Sequence, residues 1–107
     1  MAFTVTTTPP FTYMAARASY RAHYAARPQL AWAYAQDAGT LVRATVRRRV
    51  ETKGGLMFVA GDETLARVHR NAIDGKVEVT LWTTRAYGGG WVGVPAHLVT
   101  LTDEVVA

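Results

Sequence analysis

The chain has 107 residues, no cysteine, an apolar half and 19% charged residues, which describes one globular domain, or one small domain with an added helical element, and excludes wholesale disorder. Without thiols there is no disulfide scaffold, no thiolate metal centre and no cysteine nucleophile. The net charge of +4 is unevenly placed: residues 1–53 hold eight Lys/Arg and two Asp/Glu, and residues 54–107 hold four and six. That polarity favours an anionic partner, or else reflects arginines on solvated helices and strands.

No apolar run approaches the roughly 20 residues that span a bilayer. The start, Met1 to Pro10, lacks a basic region followed by a long apolar one, so no signal peptide is expected and a cytoplasmic location is the default. Residues 1–8 are Thr-rich and read as extended or disordered. Thr8 can cap a helix with Pro9 at its first position, and Pro10 to Arg27 reads as helix, Ala-rich and free of glycine. Pro28 must end or kink it. Gln29 to Asp37 forms a second short helix stopped by Ala38-Gly39. The expected N-terminal piece, residues 1–39, is therefore an αα-hairpin or one kinked helix.

At 100° per residue the first helix divides in two. Phe11, Met14, Ala15, Ala18, Ala22 and Ala25 fall on one side; Tyr13, Arg17, Tyr20, Tyr24 and Arg27 fall on the other. Rings interleaved with guanidinium groups suit nucleic acid, because both stack on bases and arginine pairs with phosphate. The same stripe also suits packing on a sheet, with the alanines facing water, or a homodimer surface.

From residue 40 onward the pattern is β. Val42, Ala44, Val46 and Val50 alternate with Arg43, Thr45, Arg47, Arg49 and Glu51, and Arg48 breaks the row, so the strand bulges or leaves the sheet there. Thr52-Lys53-Gly54-Gly55 is a turn, Leu56–Val59 a short strand, Gly61-Asp62 a tight turn and Glu63–Arg70 the next strand. Asn71 to Gly75 is a hairpin loop. Lys76–Arg85 alternates Val77, Val79 and Leu81 inward with Glu78, Thr80, Trp82 and Thr84 outward. Gly88-Gly89-Gly90 reads as a flexible tip, Trp91–Val94 as a strand, Pro95–Leu98 as a tight turn and Val99–Thr102 as the closing strand. Short strands with frequent turn signals make a small barrel over residues 40–107.

Over Leu41 to Thr102 these residues resemble a Src-homology-3-type barrel. The resemblance rests on the turn Gly61-Asp62 after the apolar Phe58-Val59-Ala60, on Trp82 after the next loop, and on Gly93-Val94-Pro95 before a single 3₁₀ turn and a last strand. It implies a five-stranded barrel; with the N-terminal helix or αα-hairpin, which lies outside the resemblance, the expected chain is α+β, mainly β. Eukaryotic members bind proline-rich peptides through a groove of aromatic residues. This sequence keeps Trp82 and Pro95 but has Ala44 to Val50 and Ala96-His97-Leu98 where that groove has tyrosines. Bacterial and phage-type barrels of this shape serve in protein–protein, nucleic-acid or subunit-assembly contacts.

Three functions are therefore expected, none of them catalytic. The first is binding of a protein partner through the barrel face, with Trp82, Trp91, Pro95, Arg43, Arg47 and Arg49. An outward tryptophan on a polar strand face marks a contact surface, unless the N-terminal helix covers it. The second is nucleic-acid binding by Tyr13, Arg17, Tyr20, Tyr24 and Arg27 together with Arg47, Arg48, Arg49 and Lys53, a cluster that could equally be a charged edge guarding against aggregation. The third is a non-catalytic subunit of an enzyme complex. His23, His69 and His97 lack metal-site spacing, Asp62 reads as a turn former, and no phosphate-loop motif is present, so no cofactor and no metal are expected.

Overall fold

The computed structural model describes residues 8–86 and 88–106; the expectation for the extreme N-terminus lies almost wholly outside them. The chain is α+β, with an N-terminal helical segment and a five-stranded antiparallel sheet. Helix α1 is Tyr13–Ala25 and α2 is Ala31–Asp37, joined by a 3₁₀ turn at Pro28–Leu30. The strands are β1 (Leu41–Val46), β2 (Val50–Thr52), β3 (Gly55–Phe58), β4 (Glu63–Arg70), β5 (Val77–Thr83), β6 (Gly90–Val94) and β7 (Val99–Val106). The sheet runs β6-β5-β4-β1-β7, and β2 and β3 form a separate hairpin.

The helix starts later than the sequence suggests. Thr12, not Thr8, is the cap, its Oγ1 accepting from the Ala15 N–H at 3.1 Å. The reason is tertiary: the Phe11 N–H donates to Asp62 Oδ1 at 2.9 Å, and the Phe11 carbonyl accepts from the Glu63 N–H at 3.2 Å. Phe11 is thereby held against the start of β4 and is unavailable to the helix. The second helix ends where expected, and Gly39 takes the positive φ of 76° that lets the chain turn into β1.

The break at Arg48 is real. β1 stops at Val46, the three arginines cross an irregular link, and β2 resumes at Val50. Up to the break the strand is held on both sides: the Val46 N–H donates to the Asp62 carbonyl and the Val46 carbonyl accepts from the Gly61 N–H, both at 2.8 Å, while Val46 pairs with Val99 of β7. Among the described residues β6 and β7 do not pair, so the sheet is open.

The sheet is buried on both sides. One side gathers Ala44, Val46, Ala66, Val79, Leu81 and Val94, which pack with Met57 and Phe58 of the hairpin side and with Val99. The other gathers Leu41, Leu65 and Trp82 beneath Ala16 and Tyr20 of α1. Alternation along β4 and β5 thus reads apolar on both faces wherever α1 lies across the sheet, as expected for a strand covered twice. Buried threonines are satisfied: Thr83 Oγ1 donates to the Met57 carbonyl at 2.6 Å, tying β5 to β3.

Asp62, fully buried, is more than a turn former. Its carboxylate accepts from the N–H groups of Phe11 and Val59 and from both terminal nitrogens of Arg85, while the Arg85 guanidinium stands 4.8 Å from the Phe11 ring centroid. Arg85 also donates to the carbonyls of Pro9 and Met57. Replacing Asp62 by alanine leaves a largely buried guanidinium without its counter-ion. Urea denaturation should show Asp62→Ala losing about 3–5 kcal/mol; a loss below about 1 kcal/mol would mean that the knot is not structural.

Candidate interaction surface

α1 lies across the sheet with its tyrosine stripe inward. Tyr20 is buried, Tyr13 and Tyr24 pack against the same cluster, and Met14 on the alanine side is 69% exposed. Tyrosine wins the inward face because it buries more apolar area than alanine and carries a hydroxyl that finds partners. The stacking half of the nucleic-acid expectation is therefore corrected: Tyr20 is sealed inside and Tyr13 and Tyr24 are turned to the sheet, so they do not form an open platform for bases.

Trp82 is 0% exposed. Its indole N–H donates to Ser19 Oγ at 3.1 Å, and the rings of Tyr20, His23 and Trp91 meet it edge-on at 5.1–5.5 Å between centroids. The expected contact surface at Trp82 is thus corrected: the residue does point to the outer side of β5, but α1 covers it. The glycine tip closes the same lid. Gly89, at φ +87°, passes so near Trp82 that a Cβ there would stand 2.4 Å from the ring, and the Gly88 carbonyl lies 3.1 Å from His23 Nδ1. These glycines serve close approach instead of forming a free tip.

Trp91 is half-buried. Its indole N–H donates to the Tyr24 hydroxyl at 3.2 Å, and the Arg67 guanidinium sits 4.0 Å from its ring centroid. Arg67 also holds the Asp37 carboxylate through Nε and Nη2, at 2.8 and 2.7 Å, and Asp37 accepts from the Tyr20 hydroxyl at 2.8 Å. This clamp fastens the end of α2 to both α1 and the sheet. Sequence reading missed it, because Asp37 and Arg67 are 30 residues apart and neither lies in a motif. Burial, then the hydrogen bond to Asp37 and the Asp37 charge, push the Tyr20 phenol far above its ordinary 10.0. For Arg67 burial acts downward, but the hydrogen bonds to Asp37 and Tyr24 outweigh it and the net shift is upward.

The remaining expected residues lie apart. Arg43 pairs with Glu63 and covers the Tyr13 ring at 4.6 Å. Arg47, Arg48, Arg49 and Lys53 are exposed; Arg47 Nε donates to Thr100 Oγ1 at 2.8 Å, and Arg49 pairs with Glu51. Arg27 donates to the His23 carbonyl at 2.9 Å. Pro95 is exposed on a groove of about 350 Å³ with Val77, Glu78, Thr80 and Gly93. His69 Nε2 lies 2.7 Å from Glu78 Oε2, and hydrogen bonds from Asn71 and His69 hold the Glu78 carboxyl below its usual range. Among the described residues no three His, Asp or Glu side chains gather as a metal ion would require, and no helix is long and apolar enough to cross a membrane.

Among the described residues the most exposed aromatic surface lies elsewhere, on α2. Trp32 is 64% exposed, and Tyr34 beside it is 39% exposed. Trp32 forms one wall of a groove of about 430 Å³ whose other walls include Gln36, Thr40, Arg67, Val68 and His69. His69 lines this groove and the Pro95 groove, so the two adjoin. The signal for Trp32 was present in the sequence. A seven-residue helix, Ala-Trp-Ala-Tyr-Ala-Gln-Asp, has no apolar stripe wide enough to bury its tryptophan. No known family matches the chain, and no curated protein or solved structure is significantly similar to it.

The clamp makes a pH prediction. Tyr20 has a folded pKa above its unfolded one, so its contribution to stability is intact below pH 10.0 and is lost as pH rises beyond that value. Tyr20→Phe should cost about 1–1.5 kcal/mol at neutral pH. It should also lose stability less steeply than the parent between about pH 10 and about pH 11. Urea midpoints across that range check both; parallel slopes would remove Tyr20 as the titrating group.

Proposed function

We propose that the chain is a non-catalytic interaction module that binds a protein partner, carried on a Src-homology-3-like barrel. Supporting the scaffold, the Gly61-Asp62 turn follows β3, Trp82 lies on β5, and Gly93-Val94-Pro95 leads into a 3₁₀ turn at Ala96–Leu98 and then β7. The partner surface is the one around α2, not the covered face over Trp82. The observation that carries this reading is the exposed indole of Trp32 at the wall of a groove that adjoins Pro95 through His69. Tryptophan is enriched among the few residues that carry most of the binding energy in protein interfaces.

Trp32 contributes little to the core, so Trp32→Ala should keep stability within about 0.5 kcal/mol. Affinity for a partner retained by the parent chain should fall at least about tenfold and depend little on salt. Equal retention of the same partner by Trp32→Ala, measured by quantitative co-purification and titration, would sink the proposal.

A second reading, nucleic-acid binding, rests on a different observation. Asp37, Glu51, Asp62 and Glu63 are each taken up by an arginine from within the fold. Arg17, Arg21, Arg27, Arg47, Arg48 and Lys53 take no part in the ion pairs of the described residues, which leaves positive charge on α1 and just after it, on the β1–β2 link and in the β2–β3 turn. If this charge serves phosphate, labelled single- or double-stranded DNA or RNA should bind at low salt and weaken steeply as salt rises. Arg47→Ala with Arg48→Ala should weaken it further. No binding at low salt removes this reading.

A further inference from the structure

We propose that the outer edge of β6 is the seam of a homodimer, in which two copies pair antiparallel with Val92 on the two-fold axis and extend each sheet into the other. Three observations converge on it.

β6 is an end strand: it pairs with β5 on one side, and among the described residues no strand pairs with its other side. An edge of this kind presents backbone donors and acceptors ready for another strand.

The two ends of the sheet are treated differently. β7 is irregular, with a register shift opposite Val42 and Ala44. Bulges and charges are the devices that discourage edge pairing. β6 has neither. Its register with β5 runs unbroken from Val79↔Val94 to Thr83↔Gly90, and Gly90-Trp91-Val92-Gly93-Val94 contains no charge, with its proline only after the strand ends.

The strand is complementary to itself. Antiparallel pairing about Val92 sets Trp91 opposite Gly93 of the second copy, and Gly90 opposite Val94 of the second copy. Each large side chain then faces a glycine. A cross-strand aromatic packed over a glycine is a favourable pair that covers an otherwise bare backbone. Trp91 is only partly buried within one copy, and a Cβ built at Gly93 meets nothing within 4 Å. There is thus space at the seam and apolar surface left to fill it. The self-match selects a second copy of this chain over an unrelated extended peptide.

The open space at Gly93 makes the test clean, because Gly93→Glu is sterically free in the single copy while it places a carboxylate against the indole across the seam. Sedimentation of the full chain from about 5 to about 200 µM should show the 11.7 kDa species giving way to one of twice that mass. Gly93→Glu should raise the dimer dissociation constant at least about tenfold, with an unchanged circular-dichroism spectrum and melting midpoint. A second variant locates the seam independently of that charge. The chain has no cysteine, so Val92→Cys introduces a single thiol next to its own copy on the axis. It should oxidise to a covalent dimer, and Thr100→Cys on β7 should not. A parent chain that stays monomeric across the range, a folded Gly93→Glu that dimerises as the parent does, or equal cross-linking at both cysteines would each overturn the proposal.

Discussion

One buried carboxylate organises the chain. Asp62 closes the turn between β3 and β4 through the Val59 N–H, captures the segment before α1 through the Phe11 N–H, and anchors the segment after β5 through Arg85. These three pieces are remote in sequence, and a charged group with no solvent exposure must satisfy its oxygens from within the protein. Only the native meeting of those pieces supplies four donors at once. Fixing Phe11 there also fixes where α1 begins, and so where its tyrosine stripe meets the sheet.

Everything on the outer sheet face follows from that placement. α1 sets Tyr20 edge-on to Trp82, and Gly88 and Gly89 approach the same place beside His23, Ser19 and the Trp82 ring. The aromatic residues that look most like a binding surface in the sequence become a second core. The clamp of Asp37, Arg67, Tyr20 and Tyr24 then holds α2 on this assembly by its last residue, which leaves Trp32 outside. Among the described residues the large apolar side chains that stay most exposed are Ile73 on the β4–β5 loop, Met14 on the outer side of α1, and Trp32 on α2. The apolar surface that stays accessible lies at the periphery of the covered sheet face.

Much of the sheet was legible in particular residues. Val77-Glu78-Val79-Thr80-Leu81 alternates cleanly, and β5 lies there; the charged Arg48 interrupts an apolar row, and the strand breaks there. The helix boundary was not legible, because Thr8 followed by Pro9 carries the local signal of a cap while a contact 51 residues away gives that role to Thr12. Trp82 was legible in direction and not in exposure, since alternation fixes the side of a strand and says nothing about what lies over that side. The groove beside Trp32 was hidden for a related reason, being assembled from α2 and β4 across more than thirty positions of sequence.

By itself the sequence determined the periodicities, and hence a helical segment followed by short antiparallel strands, together with the turns where glycine, proline and aspartate leave little choice of backbone. It also determined the charge imbalance between the halves of the chain. Only the tertiary structure decided which of two plausible helix faces turned inward, that Trp82 is core, and which arginines are consumed by carboxylates. Those outcomes depend on burial and on ion pairs between distant residues, energies that exist only once the chain has closed on itself and that no local pattern encodes.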